Sequence, residues 1–191
     1  LAFGLILILM GILTGVAFRG LKTTQLLLDD IVQNNVYMMN LNQDMSESVH
    51  IVSRVMPSML LLNDSARIER EYQRIETARA KYDASFAKLK QTQANAAGQA
   101  NREKIAAAQD QVSALNNRVI ELARANNAVA DVEATELLLT NAGPATQKWQ
   151  DLLDVNIALQ NENTHKAYAE ATTAAAGALT TKLCEPAKYY V

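Results

Sequence analysis

The sequence predicts an all-α protein, a long antiparallel up-down-up-down four-helix bundle preceded by a transmembrane helix. Three observations carry that prediction. The 191 residues include only 7 Gly and 3 Pro but 31 Ala, too few turn formers for the many tight reversals of a sandwich or barrel. Leu1 to Phe18, LAFGLILILMGILTGVAF, runs eighteen residues without a charge. Between Leu21 and Leu183 the only glycines are Gly98, Gly143 and Gly177, and the only prolines are Pro57 and Pro144, which leaves room for very long helices.

The apolar run comes first. At ~1.5 Å per residue it reaches about 27 Å, close to the ~30 Å hydrocarbon core of a bilayer. Arg19-Gly20-Leu21-Lys22 follows it with no small-residue cleavage signal, so residues 1–18 read as a transmembrane helix. A buried core helix and a cleaved signal are the competing readings. Residues 19–183 then form one domain of four helices, at about 21–62, 65–96, 100–141 and 145–183. The first break falls at Asn63-Asp64-Ser65, whose side chains supply N-cap oxygens. The second is expected at Ala96-Ala97-Gly98-Gln99. The third is expected at Asn141-Ala142-Gly143-Pro144, because glycine ends helices and proline opens them. The first helix carries an apolar seam at Met45, Val49, Val52, Met56 and Met59, and the third carries Val112, Leu115, Val119 and Leu122. Ile68, Tyr72, Ile75, Tyr82, Phe86 and Leu89 form the stripe of the charge-rich second helix. The fourth has Trp149, Leu152, Leu153, Val155 and Ile157 before an alanine-rich stretch from Ala167 to Ala178. Short connections make neighbours antiparallel, so the connections near Asp64 and Gly143 are expected together at the end away from the membrane. Residues 184–191, Cys184-Glu-Pro-Ala-Lys-Tyr-Tyr-Val191, read as a truncated or altered tail, neither apolar nor long enough to cross a bilayer.

The chemistry supports binding rather than catalysis. A net charge of −2 excludes a strongly basic nucleic-acid binder, and a single cysteine, Cys184, excludes a disulfide framework or a cysteine-based zinc site. No phosphate-loop, dinucleotide, metalloprotease or nucleophile-elbow motif is present, so no catalytic residue, cofactor or metal is expected. Arg54 is the leading binding candidate. A long cation among Val52, Val55 and Met56 either meets an internal acid or receives a small anion, for which a guanidinium is the usual partner. His50, one turn earlier, is a structural histidine or part of the same site. Pro57 either kinks the helix without consequence or bends it to shape a pocket.

The opening LAFGLILILMGILTG, the long seam of the first helix and Asn141-Ala-Gly-Pro-Ala145 before the final helix resemble the four-helix-bundle sensor domain of bacterial methyl-accepting chemotaxis proteins, the class of the aspartate and serine receptors. The resemblance implies a chemoreceptor sensor in the periplasm, anchored in the bacterial inner membrane. It also implies a homodimer through the first helix, for which the Met45–Met59 seam is suited, and a small carboxylate ligand at the distal dimer interface. Arg54 matches an arginine of the family's ligand set. Ser58 and Leu61 or Leu62 stand where the family places further arginines. Thr140, Thr146 and Gln147 beside Pro144 are the polar candidates from the fourth helix. The incomplete arginine set argues against aspartate and for an organic acid of central metabolism, with an aromatic acid as the alternative. A second span, a linker and a signalling coiled coil are expected after Leu183, and cytoplasmic partners would be reached only through them. The same bundle could also serve a histidine kinase or cyclase receptor, or a membrane-anchored scaffold without a ligand.

Overall fold

A computed structural model describes residues 31–184 and scattered positions before them (4, 10–12, 14, 15, 18, 19 and 22). The transmembrane helix expected at 1–18 and the tail expected at 184–191 fall largely outside the described residues. Among the described residues no helix is long and apolar enough to cross a membrane, and every regular element is helical. A wide, π-type segment at Ile31–Val36 is followed by α1 (Tyr37–Leu60), α2 (Ser65–Gln91), α3 (Ala96–Ala125), α4 (Ala128–Leu137), a second π segment (Leu138–Ala142) and α5 (Gly143–Cys184). The chain divides into two units, residues 38–160 and the terminal stretches 1–37 and 161–191.

In the terminal unit, Lys166 pairs with Glu162 one turn before it at 2.6 Å. Within the alanine-rich stretch at 167–178, the side chains at 171 and 174–178 lie outside the described set.

The 38–160 unit is the bundle. Its antiparallel order can be read from polar pairs that advance in opposite directions along the chain. Lys81 of α2 meets Asp44 and Glu47 of α1 at 3.0 and 2.7 Å. Arg124 of α3 meets Glu69 of α2 at 2.9 Å, whereas Gln109 meets Asp83 at 2.8 Å. Arg118 of α3 meets Glu133 of α4 at 2.8 Å, whereas Asn101 bonds the Leu152 carbonyl of α5 at 3.1 Å.

Each connection is closed by a local cap. Asp64 accepts from the Ala66 amide at 2.8 Å and opens α2 where the sequence places it. The second connection is Thr92–Asn95, ahead of the position expected from Gly98. Asn95 caps α3 by accepting from the Gly98 amide at 2.9 Å, which puts the glycine inside the first turn of the helix.

The third connection corrects the sequence reading. The chain turns at Asn126-Asn127, not at Asn141–Pro144. Asn126 takes the left-handed conformation (φ 49°), which asparagine tolerates better than most side chains, and Asn127 caps α4 by accepting from the Ala130 amide at 3.0 Å. The Asn126 amide also bonds the Asn63 carbonyl and the Ser65 hydroxyl, both at 3.3 Å, which brings the first and third connections together at one end. The fourth rod runs straight through Gly143 and Pro144. A proline inside an α-helix collides with the carbonyl four residues back. Here the wide turn at Leu138–Ala142 immediately precedes it, and the Gly143 amide bonds Leu138, five residues back. That geometry explains the glycine, since a Cβ at position 143 would lie 2.8 Å from the Leu138 carbonyl oxygen. Alanine normally gains about 1 kcal/mol over glycine in a helix. Gly143→Ala is nevertheless expected to lower the thermal midpoint, because the obstructing atom is backbone. A rise in the midpoint would contradict this role for the wide turn.

The core consists of two apolar clusters in sequence along the bundle. One, nearer the Asn63–Asn126 end, contains Val52, Met56, Met59, Ile75 and Val119; the other contains Met45, Val49, Tyr82, Leu89, Val112, Trp149 and Leu153. The five seam residues of the first helix are all interior, at 0 to 4% exposure. This corrects their expected use. They pack α1 against the chain's own bundle, and a contact with a second copy would have to use the opposite face of α1. Tyr72 and Leu115 are only half-buried, while Asn116 is fully buried at 2% exposure. Val155 is likewise exposed, and Asn156 lies inside.

Candidate functional site

The outward face of α1 carries Gln43, Glu47, His50 and Arg54 at helical spacing, so all four lie along one groove, which Ile157 of α5 borders. The side-chain amide of Gln150 of α5, itself 7% exposed, shares a hydrogen bond with His50 Nδ1 at 2.9 Å. This bond ties the face of α1 to α5. Arg54 is one turn further on and exposed, and among the described residues no acid pairs with its guanidinium. The nearby acids are already engaged: Asp44 and Glu47 both hold Lys81. One lysine balances only one of these two carboxylates, so the groove sets Arg54, which forms no ion pair of its own among the described residues, about two turns from the residual negative charge at Glu47. Arg54 sits six residues before the end of α1, about 9 Å at ~1.5 Å per residue, near the end where Asn63 and Asn126 meet.

The other candidates do not all join it. Ser58 is exposed one turn beyond Arg54, and its hydroxyl donates to the Arg54 carbonyl at 3.0 Å. Thr140 lines a different groove, with Leu115 of α3, Pro144 and Lys148, and its hydroxyl bonds the Glu136 carbonyl at 2.7 Å. Thr146 is interior, at 2% exposure, with its hydroxyl on the Ala142 carbonyl at 2.7 Å. Gln147 faces solvent and bonds Asp151 at 2.9 Å. The structure thus sets His50 and Arg54 in one groove with Ser58 one turn further along α1, and separates Thr140, Thr146 and Gln147 from them. Sequence reasoning did not identify Gln150. The available signal was its place on the inner face with Thr146, Leu153 and Asn156, at steps of three and four.

Behind the groove, Trp149 donates to the Tyr82 hydroxyl at 3.1 Å, with the two rings 4.7 Å apart and tilted by 59°. Burial pushes the Tyr82 phenol well above its ordinary value of ~10. Because the folded value is raised, this group's contribution to stability is complete below about pH 10 and is lost as pH rises beyond it. Tyr82→Phe should reduce the alkaline fall in the melting temperature measured between pH 9 and 11. An unchanged fall would mean that Tyr82 is not its source.

Residues 1–175 match the family described as the four helix bundle sensory module for signal transduction. The chain belongs to that family, the sensory module of methyl-accepting chemotaxis proteins. Such modules are extracellular sensor domains of membrane receptors. No curated protein and no solved structure matches the chain.

Proposed function

We propose that this chain is a chemoreceptor sensor domain that binds a small organic acid in the groove between α1 and α5, with Arg54 as the anion-binding group and His50 and Ser58 beside it. The observation that carries this reading is the exposed Arg54 guanidinium on the groove, which forms no ion pair among the described residues. A guanidinium presents paired N–H donors in the geometry a carboxylate accepts. The His50–Gln150 bond supports a link to signalling, because an acid that displaces or tightens it changes how α1 holds the helix leading to the C-terminus. A ligand can shift that packing only by its difference in affinity for the two arrangements.

In this reading the domain stands in the periplasm of a bacterium whose inner membrane anchors it, and a second copy set against the outward face of α1 closes the groove. Thr140, Thr146 and Gln147 take no direct part in binding the acid. The test is thermal stability in the presence of dicarboxylates, tricarboxylates and aromatic acids. At a hundredfold excess over Kd, a binding acid adds about 2.7 kcal/mol. For a chain of this size that raises the midpoint by roughly 5–10 °C. Arg54→Ala should abolish the shift while leaving the helical circular dichroism unchanged. A shift that survives the substitution would place the acid elsewhere, and no shift with any acid would favour a scaffold.

A further inference from the structure

A second site lies inside the bundle, where the apolar core is interrupted. The two core clusters meet around Val49 and Val52 of α1 and Ala78 and Tyr82 of α2. At that level a cavity of about 190 Å³ opens among α1, α2, α3 and Trp149 of α5. Its walls are mixed. Val49, Val52, Ala78 and the tilted Tyr82 and Trp149 rings supply the apolar side. On the polar side, Asn116 takes an interior position of α3, between Val112 and Val119, where the core pattern calls for an apolar residue. It is 2% exposed, and its Oδ1 has no hydrogen-bond partner among the described residues. Arg79 lines the same cavity. Its Nη1 bonds Glu76 at 3.2 Å, but its Nη2 is buried without a partner.

Buried polar atoms in folded proteins are nearly always satisfied, and leaving one unmet costs about 1–3 kcal/mol. Here a buried acceptor and a buried cationic donor, both unmet, line one cavity beside an aromatic wall. That combination is the usual make-up of a small-molecule site, largely apolar with a few placed polar groups. Water is the competing occupant, since the volume would hold roughly six molecules at ~30 Å³ each. Ser48, Gln109, Ser113 and Asn117 also line the cavity, so water would find polar partners, and the titration below discriminates between water and an acid.

We propose that this cavity binds a small hydroxy monocarboxylic acid with a short apolar body. Its carboxylate meets the free Nη2–H of Arg79, its hydroxyl donates to Asn116 Oδ1, and its carbon chain lies against Tyr82 and Trp149. The charges nearby set the preference for a single carboxylate. Arg79 is the one cation lining the cavity and already shares Glu76, so it can meet one carboxylate, and a second would find Asp83 and no cation. The cavity is lined by one chain and is less open than the groove at Arg54, and its occupant touches three helices and the fourth rod at once.

Trp149 is the only tryptophan in the chain, so its fluorescence reports on the cavity directly. The experiment titrates the intact chain with 3-hydroxybutyrate and 2-hydroxyisocaproate, with succinate as the dicarboxylate comparison. The expected result is a saturable fluorescence change with one of the hydroxy acids, one molecule per chain, and at least tenfold weaker binding of succinate at this site. Asn116→Leu, which fills the cavity and removes the acceptor, should weaken binding at least tenfold. Ser113→Leu adds bulk from the half-buried rim and gives the same readout if Asn116→Leu fails to fold. Absence of a saturable change, or binding undiminished in whichever of these variants folds, overturns the proposal and leaves water as the occupant. If Arg54→Ala alone abolishes the hydroxy-acid response, the acid belongs to the α1–α5 groove. The cavity proposal then fails while the groove reading stands.

Discussion

Replacing Asn156 by leucine is expected to destabilise the bundle by about 2–4 kcal/mol, although it adds apolar bulk to an interior position. Asn156 is 0% exposed and sits at the centre of a buried asparagine ladder that joins three rods. Its amide nitrogen donates to Asn42 Oδ1 on α1, and its own oxygen accepts from Asn101 on α3 at 3.3 Å. Asn42 in turn donates to the Met38 carbonyl at 2.8 Å. Leucine at position 156 strands the Asn42 oxygen without a donor and leaves Asn101 only the Leu152 carbonyl. The double variant Asn42→Leu, Asn156→Leu should recover part of the loss, because removing both partners of a buried hydrogen bond is far less costly than removing one. Urea denaturation of the single and double variants measures both effects. If the double variant is as unstable as the sum of the singles, the two residues do not act as a pair.

Leu153→Ala is expected to cost about 2–5 kcal/mol, the usual range for truncating a fully buried leucine. Leu153 is 0% exposed within the cluster that contains Met45, Tyr82 and Trp149, whereas its neighbour Leu152 is only half-buried at the edge of that cluster. Leu152→Ala should therefore cost clearly less. The contrast tests the phase of α5, and the phase depends on the wide turn at Leu138–Ala142. In an uninterrupted α-helix the inner face set by Ala130 and Ala134 would not arrive in register with Thr146, Leu153 and Asn156. Equal losses at 152 and 153 would mean that the fourth rod is rotated from the arrangement described.

How legible these features were in the sequence depended on whether local chemistry or long-range packing decided them. The Met45–Met59 seam and the stripe from Ile68 to Leu89 repeat at helical spacing, and they are interior except for the half-buried Tyr72. Asp64 capped a helix as its side chain predicts. Gly143-Pro144 did not end a helix, because the five-residue hydrogen-bond step before it accommodates the proline ring and requires the glycine. The real turn, Asn126-Asn127, contains neither glycine nor proline, and its signal was the pair of small polar side chains alone. Misplacing that turn also misplaced the start of the fourth rod. Thr140, Thr146 and Gln147 were grouped by their nearness to Pro144, whereas the fold sends them to three different surroundings. His50 and Arg54 were legible because they share one helix and need no knowledge of any other. Gln150, Arg79 and Asn116 were not. An asparagine or arginine in a helix reads as solvated, and only the packing of four rods shows that Asn116 is enclosed.

In the proposed function an acid is read on the outward face of α1 and its arrival is felt by α5 through His50 and Gln150. The most direct measurement is a two-dimensional amide and side-chain NMR titration of the chain with the acid that gives the largest thermal shift. Saturable shifts are expected at His50, Arg54, Gln150 and Ile157, with the Gln150 side-chain amide among the most strongly moved, and little change at Lys148 or Thr140 in the groove on the α3 side. Shifts confined to that other groove, or an unmoved Gln150 side chain while Arg54 responds, would contradict the proposed function.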